Sequence, residues 1–488
     1  MVRFYKFFIL FFFSVVISLN ITGQTVNYWS LNLNSEAALL GGAVVGGGSG
    51  VTSIFYNPAG ISEITKSNVT LNSSMFNMVS KSLKNALGED QDLSQLTIEV
   101  KPRFVSYQFR SKKIVELSWE ISMFNKESKN NFFYGTYNSS AEKYGLTNGE
   151  KYFGIFDYWE RFNDYWSGIG TAYEINDQWK IGASIFVSIK DLRVFNNTES
   201  AIYQEVAGFK NNSISDWNQY KLVSLFEVRL APIFGVRYYF SKEISIGLTI
   251  HFPTMRVFGY ANEKKILSHQ NIVDNNGFPV PDKLQQEAPE FVRGQLKDPW
   301  SIAFGMTRRP VASKNIYSIT IEWFAKLRPY KAIDAEKGKS IFGEEVYGTE
   351  FSNYYMGNRS VINFAFGYKR EVRENLELLF GFKSDFFSYQ LPKSFIEKHK
   401  TANTFISVGT DMLHFSSGAN FIFRKKFKIN LGGSLSYGRT INQKQLSNFV
   451  DPNWYDPNTE LALQGKKQNT LTYRQIMLGL YLGFSLDF

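Results

Sequence analysis

Four histidines, His251, His269, His399 and His414, are the side chains of this 488-residue chain best placed in pKa for proton transfer. If the segments around two of them are strands, His251 shares a face with Thr249 and His414 with Ser416. A hydroxyl beside an imidazole is the start of a nucleophile–base pair, which in an exported chain would suit a lipid hydrolase. Neither histidine has an acid at a spacing that would orient it, so no catalytic residue is assigned. The sequence has no His-Glu-x-x-His motif and no cysteine, which leaves zinc, iron–sulfur and thiolate chemistry without ligands; no metal or cofactor is expected. Gly41-Gly42, Gly46-Gly47-Gly48 and Gly50 look like a phosphate loop by composition, but the closing Gly-Lys-Ser/Thr is missing. The remaining charged candidates are Glu116, Glu120, Glu227, Glu377 and Asp385 with Arg229, Arg237 and Lys383. They read as ion pairs across an interior, or as groups that receive a ligand's carboxylate.

The elements that would hold these side chains are strands. After residue 66 every sustained apolar pattern has a period of two. Ile476, Leu478, Leu480, Leu482, Phe484, Leu486 and Phe488 fall on one face, against Met477, Gly479, Tyr481, Gly483, Ser485 and Asp487 on the other. Trp179 to Ile189 and Ile244 to Phe252 alternate in the same way. Runs of about ten such residues exceed the usual soluble strand and suit a membrane-spanning barrel with lipid outside and a polar lumen. The segments are 68–80, 98–110, 113–126, 164–175, 178–196, 218–240, 243–260, 297–309, 315–328, 358–370, 375–391, 404–424, 427–441 and 470–488. Short turns such as Ser111-Lys112, Asn176-Asp177 and Ser241-Lys242 alternate with long polar loops, as in such barrels. The fold class is therefore all-β, a 14-stranded antiparallel transmembrane β-barrel, expected as a monomer. Trp119, Trp166, Trp179, Trp300 and Trp323 are read as interface girdles. Outside the first twenty residues no apolar run approaches 18, which excludes a helical transporter.

Residues 1–23 carry Arg3 and Lys6, an apolar core from Phe7 to Ile17 and a polar end, the three parts of a signal peptide. Export makes nucleic acid an implausible partner for the net charge of +10, and outer-membrane lipid headgroups the natural one. Glu127 to Asn163 holds eleven aromatic residues and is expected to be a loop, either a self-packed cap or a landing surface for an apolar ligand. Residues 24–66 are read as a plug tethered to the barrel, which takes 67–488; its glycines allow close backbone packing and Phe55 and Tyr56 give it apolar anchors.

Ala38-Leu39-Leu40-Gly41-Gly42-Ala43, followed by Thr52-Ser53-Ile54-Phe55-Tyr56-Asn57-Pro58-Ala59-Gly60-Ile61, resembles the N-terminal signature of the FadL/TodX family of outer-membrane transporters. The resemblance implies a fourteen-stranded barrel with a small N-terminal hatch in a Gram-negative outer membrane, inserted by the barrel assembly machinery. It implies passive uptake of hydrophobic small molecules, long-chain fatty acids or aromatic hydrocarbons, past the hatch or laterally into the membrane. Asn57, Pro58 and Ala59, with Phe55 and Tyr56, would be hatch residues and Phe488 part of the assembly signal. Some relatives of this kind hold secreted proteins for a type IX secretion system, which is the alternative function. The family's lateral opening comes from a kink in the third strand, and Lys113 to Lys126 has no Gly or Pro to mark one. Phe186, Leu225, Ile233 and Leu379 interrupt the polar inward face and are the expected pocket lining, with Arg229 and Arg237 as polar partners.

Overall fold

Alternation with a period of two produces a strand that can give one face to lipid and the other to an interior, and fourteen such walls leave no unpaired edge once they close. The computed structural model describes residues 27–29, 33–47, 52–64, 66–110, 117–146, 149–206, 209–338, 348–398, 403–404, 408–424, 426–457 and 459–488. The expected signal peptide, 1–23, lies outside the described residues, as do Gly48, Gly50, Glu116, His399 and the Ser111-Lys112 turn.

The walls are β1 (Asn68–Lys84), β2 (Leu93–Arg110), β3 (Ser118–Ser140), β4 (Lys151–Glu174), β5 (Trp179–Val206) and β6 (Phe209–Tyr239). There follow β7 (Ile244–His251 and Met255–Gln270), β8 (Val292–Gly294 and Ser301–Arg308), β9 (Asn315–Phe324 and Leu327–Gly338) and β10 (Tyr354–Asn358 and Val361–Arg373). The last four are β11 (Leu376–Asp385), β12 (Met412–Phe423), β13 (Phe427–Gln443) and β14 (Leu471–Asp487). Each pairs antiparallel with its neighbour, and β14 returns to β1 from Asn68↔Asp487 to Lys84↔Thr472, which closes a fourteen-stranded barrel. Pro253 and Pro299, which cannot donate to a ladder, stand in the breaks of β7 and β8. The expected strand 375–391 shortens to β11, because Phe387, Tyr389 and Leu391 leave the wall for a side cluster with Tyr355, and 404–424 shortens to β12, with 405–407 outside the described residues.

The exterior carries the apolar belt: on β5, Trp179, Ile185, Val187 and Ile189 are exposed, and on β14, Leu478, Leu480, Phe484 and Leu486. Inward neighbours such as Ser184, Phe186 and Ser188 are buried. Trp166 corrects the girdle assignment, since it faces inward against Phe124 and Phe186 and not toward lipid.

The largest departure from expectation lies above the belt. A crossing needs about 9–11 residues, yet β3, β4, β5 and β6 have 23, 24, 28 and 31. The stretch Glu127 to Asn163 is therefore not a long loop: β3 and β4 pair from Asn125↔Tyr165 up to Ser140↔Lys151. Beyond lipid the outward face no longer has to be apolar, so the alternation fades while backbone groups still need partners. Inside this extension Phe133, Tyr152, Phe156, Tyr158 and Trp217 pack with Phe449 and Leu463. The 444–470 stretch is tied across it by hydrogen bonds from Trp217 Nε1 to Glu460 O (2.9 Å) and from Tyr152 OH to Leu463 O (2.7 Å).

Candidate functional site

The N-terminal segment enters the lumen as two helical turns, α1 (Ser35–Leu39) and α2 (Ser53–Tyr56), and a 3-10 turn over Pro58–Glu63. Asn34 caps α1 by accepting from Ala37 N at 2.6 Å. Asn57 holds the turn between them: its Nδ2 donates to Val45 O (3.0 Å) and to Val236 O on β6 (3.1 Å), and its Oδ1 accepts from Ala59 N (3.2 Å). Pro58 opens the 3-10 turn, where its missing N–H costs nothing. At the closest approaches the wall beneath has glycine. A Cβ on Gly182, Gly235, Gly247 or Gly305 would come within 2.3 Å of Pro58, 2.3 Å of Asn57, 2.0 Å of Val45 and 2.4 Å of Gly46 respectively. Charge fixes the two ends. Glu36 pairs with Lys428 (2.7 Å) and Lys369 (3.4 Å), both of which also reach Glu377, and Glu63 pairs with Arg237 (2.6 Å).

Above this segment lies a cavity of about 70 Å³ bordered by Phe55, Tyr56, Trp166, His251 and Phe324. Phe55 stands edge-on to Phe124 (5.6 Å) and Trp166 (5.7 Å), and Phe124 edge-on to Phe186 (5.4 Å), so rings from the segment and from β3, β4 and β5 make one apolar cluster. Its polar edge is balanced in charge: Lys126 lies 3.3 Å from Asp298 and 4.0 Å from Asp164, and Lys190 lies 2.5 Å from Asp298. An interior of this kind suits a neutral, ring-sized or chain-like apolar molecule better than an ion.

Beside the cavity the wall parts. β2 and β3 pair only from Arg110↔Ser118 to Phe104↔Phe124. Above that point, among the described residues, β3 pairs with β4 alone and β2 with β1 alone, and β3 carries a bulge between Asn125 and Glu127. The edges meet again where the Gln95 side chain donates to Asn130 O and accepts from Phe132 N, each at 3.0 Å. Lys126 lines the cavity inside this gap. Asn125, Ser128 and Lys129 line a groove of about 490 Å³ outside it. The sequence signal for the gap is not in β3. It is Pro102 on β2, two residues beyond the last pair, which has no N–H to offer.

The expected pocket residues separate. Phe186 and Ile233 join the ring cluster; Leu225 lies in the extracellular core; Leu379 packs under α1 with Leu39 and Leu40. Arg229 pairs with Glu227 at 2.5 Å and donates to Thr254, and Arg237 holds Glu63. Of the cavity's lining residues, Trp166 and Lys126 are not among those expected from the sequence, although their inward position follows from the same alternation.

His251 and His414 are structural in their contacts. His251 Nε2 lies 3.2 Å from Phe55 O and its ring 5.0 Å from the Phe55 ring, while Glu322, 3.7 Å from Nδ1, is also the acceptor of Ser301 (2.5 Å). His414 Nδ1 meets Ser436 Oγ at 2.6 Å and its Nε2 stands 3.9 Å from Asp385, but all three are buried, so Ser436 offers no open face to an ester.

No family model and no curated protein matches the sequence. Solved structures do. The Pseudomonas putida toluene transporter TodX superposes with a TM-score of 0.54 at 13% identity, covering 95% of this chain and 100% of that one. A Pseudomonas aeruginosa FadL homologue gives 0.55 at 10%, with 95% and 100% covered. The Ralstonia pickettii toluene transporter TbuX gives 0.50 at 12%, with 94% and 99% covered. Two of these neighbours are toluene transporters and the third a FadL homologue, and the barrel, from β1 to its closure by β14, has the fold of the FadL and TodX outer-membrane proteins.

Proposed function

We propose that the chain is an outer-membrane channel through which hydrophobic small molecules pass without energy input, and that residues 24–66 are its hatch. The observation that carries this reading is the position of β3: residues 125–129 border the ring-lined cavity through Lys126 and the outer groove through Asn125, Ser128 and Lys129, at the place where the β2–β3 ladder stops. An apolar molecule resting in that cavity against Phe55 and Trp166, with Phe124 and Phe186 packed behind them, has a short lateral route to lipid there, whereas the extracellular end is filled by the packed core around Trp217 and Phe449. Backbone groups on the two parted edges lack ladder partners, which favours a passage that is wetted or occupied over a sealed seam. The hatch, seated on glycines and held by Asn57, Glu36 and Glu63, closes the periplasmic side. Uptake into proteoliposomes tests the reading. Labelled toluene or oleate should enter faster than into protein-free vesicles, and Trp166→Asp or Phe186→Asp should remove most of the gain in barrels that remain heat-modifiable on gels. Uptake equal to that of empty vesicles, with secreted proteins copurifying on the tall extracellular wall, would replace the channel by the scaffold.

A further inference from the structure

The outward face at the mouth of the β2–β3 gap carries charge in an arrangement that folding alone does not favour. On β5 the exposed belt ends at Ile189, and the next outward residues are Asp191 and Arg193. On β4 the same level holds Arg161, between Tyr165 below and Trp159 above. Register sets Arg161 directly opposite Arg193. Like charges facing each other across two strands destabilise the pair. Asp191 offsets one of them at 3.6 Å from Arg193; among the described residues no carboxylate forms an ion pair with Arg161. Arg161, Asn130, Asn163, Trp159 and Tyr165 line the same 490 Å³ groove that opens at the gap. Trp159 is stacked on Phe195 at 6.2 Å and 18°, a rigid aromatic shelf above the two cations. Short turns at the opposite end place this level at the extracellular face of the bilayer, where headgroups begin.

We propose that this groove, with the β5 surface beside it, binds the phosphate-bearing headgroup of an outer-leaflet lipid, Arg161 at the groove's edge and Arg193 opposite it on β5 sharing the phosphate. A phosphate accepts charge-assisted, bidentate hydrogen bonds from guanidinium groups and cancels the repulsion between them. Tyr165 lies toward the belt, where it covers the start of the acyl chains, and the Asn130 and Asn163 amides face the headgroup's hydroxyls. A lipid held there occupies the outer mouth of the gap. The inference rests on the barrel spanning a membrane and not on transport, so a chain that moves no solute could still bind lipid at this place.

The test uses the full chain folded in detergent, titrated with lipid A, a glucosamine disaccharide lipid bearing two phosphates, and read by tryptophan fluorescence and by native mass spectrometry. Arg161→Ala/Arg193→Ala should weaken binding at least tenfold, which is about 1.4 kcal/mol. Arg161→Lys/Arg193→Lys should keep part of the affinity, and dephosphorylated lipid A should bind wild type no better than phosphorylated lipid binds the alanine pair. Because both arginines are outward and mutually repelling, the alanine pair should melt no lower than wild type, which separates lost binding from lost folding. Equal affinity in wild type and the alanine pair would overturn the proposal. So would equal binding of dephosphorylated lipid, or displacement of the lipid by millimolar inorganic phosphate, which would make this a site for free anions.

Discussion

Gly247→Ala adds one methyl to the wall exactly where the N-terminal backbone lies against it. Gly247 on β7 is paired with Gly305 on β8, and a Cβ built on it stands 2.0 Å from Val45 O and 2.7 Å from Asn57 Nδ2. Ordinary contact begins at 3.4 Å, so Val45 must lift by about 1.4 Å. The wall is the stiffer partner, held by ladders to β6 and β8 on both sides. At Val45 to Gly47 the segment is held by side chains: Asn57 Nδ2 on Val45 O (3.0 Å), Ser245 Oγ on Gly46 O (2.7 Å) and Thr307 Oγ1 on Gly47 O (2.8 Å). Losing three such bonds at roughly 1 kcal/mol each costs about 3 kcal/mol, or on the order of a hundredfold in the ratio of seated to unseated segment. The chain has no cysteine, so a single Ser62→Cys, at a buried position of the 3-10 turn, reports unseating by its rate of reaction with a soluble maleimide. Labelling should be about a hundredfold faster when Gly247→Ala is added, with barrel melting little changed. Gly433→Ala, whose Cβ would meet only Gly479 O at 3.1 Å and Leu480 at 3.5 Å, should label like the parent. Equal rates in all three would refute the idea that the absent side chain is what seats the segment.

Two further outcomes follow from the extracellular side. Burial, with Lys221 beside it, pushes the Lys265 amine down from 10.5 to about 6, while burial raises the neighbouring Glu263 carboxyl to about 8. Between about 6 and 8 the two oppose each other; from pH 8 to 9.5 only the unfolded amine still binds a proton, so stability should rise with pH by up to about 1.4 kcal/mol per unit. Exchange-corrected hydrogen-exchange protection at residues 350–355, where Lys265 Nζ donates to Phe351 O at 2.7 Å, should therefore increase over that interval and increase less in Lys265→Met; protection that is flat or falls in wild type would contradict the assignment. At the gap, Gln95→Ala removes both 3.0 Å bonds that rejoin β2 to β3. Spin labels at positions 97 and 128 should then show a broader and longer distance distribution, with uptake rising by a few-fold, and an unchanged distribution would mean that Gln95 does not hold the edges together.

What the sequence disclosed, and what it withheld, follows from how far each feature depends on a single strand. The lipid-facing set Trp179, Ile185, Val187 and Ile189 is legible because period and burial are properties of β5 by itself. Above the belt the same strand is still paired, Asn196↔Lys221 and Ser200↔Trp217, but its outward face meets water, so the pattern that marked it disappears and the segment reads as loop. The glycine seat is harder again. Gly182, Gly235, Gly247 and Gly305 each pass for ordinary small inward residues, and only register sets Gly182 opposite Gly235 and Gly247 opposite Gly305, two residues apart along the wall, under Val45 to Pro58. The parting of the wall is the extreme case, because a ladder belongs to two strands at once. Scanning Lys113 to Lys126 for a kink finds no Gly or Pro, while the residue that cannot donate, Pro102, stands on β2 across the gap. An opening in a barrel is thus better sought as a proline on either side of a pair than as a kink in one strand. Pro102→Ala supplies the missing N–H; if that absence keeps the edges apart, the variant should extend the β2–β3 ladder beyond Phe104↔Phe124 and slow uptake, and an unextended ladder would assign the parting to the bulge at Asn125 to Glu127 alone.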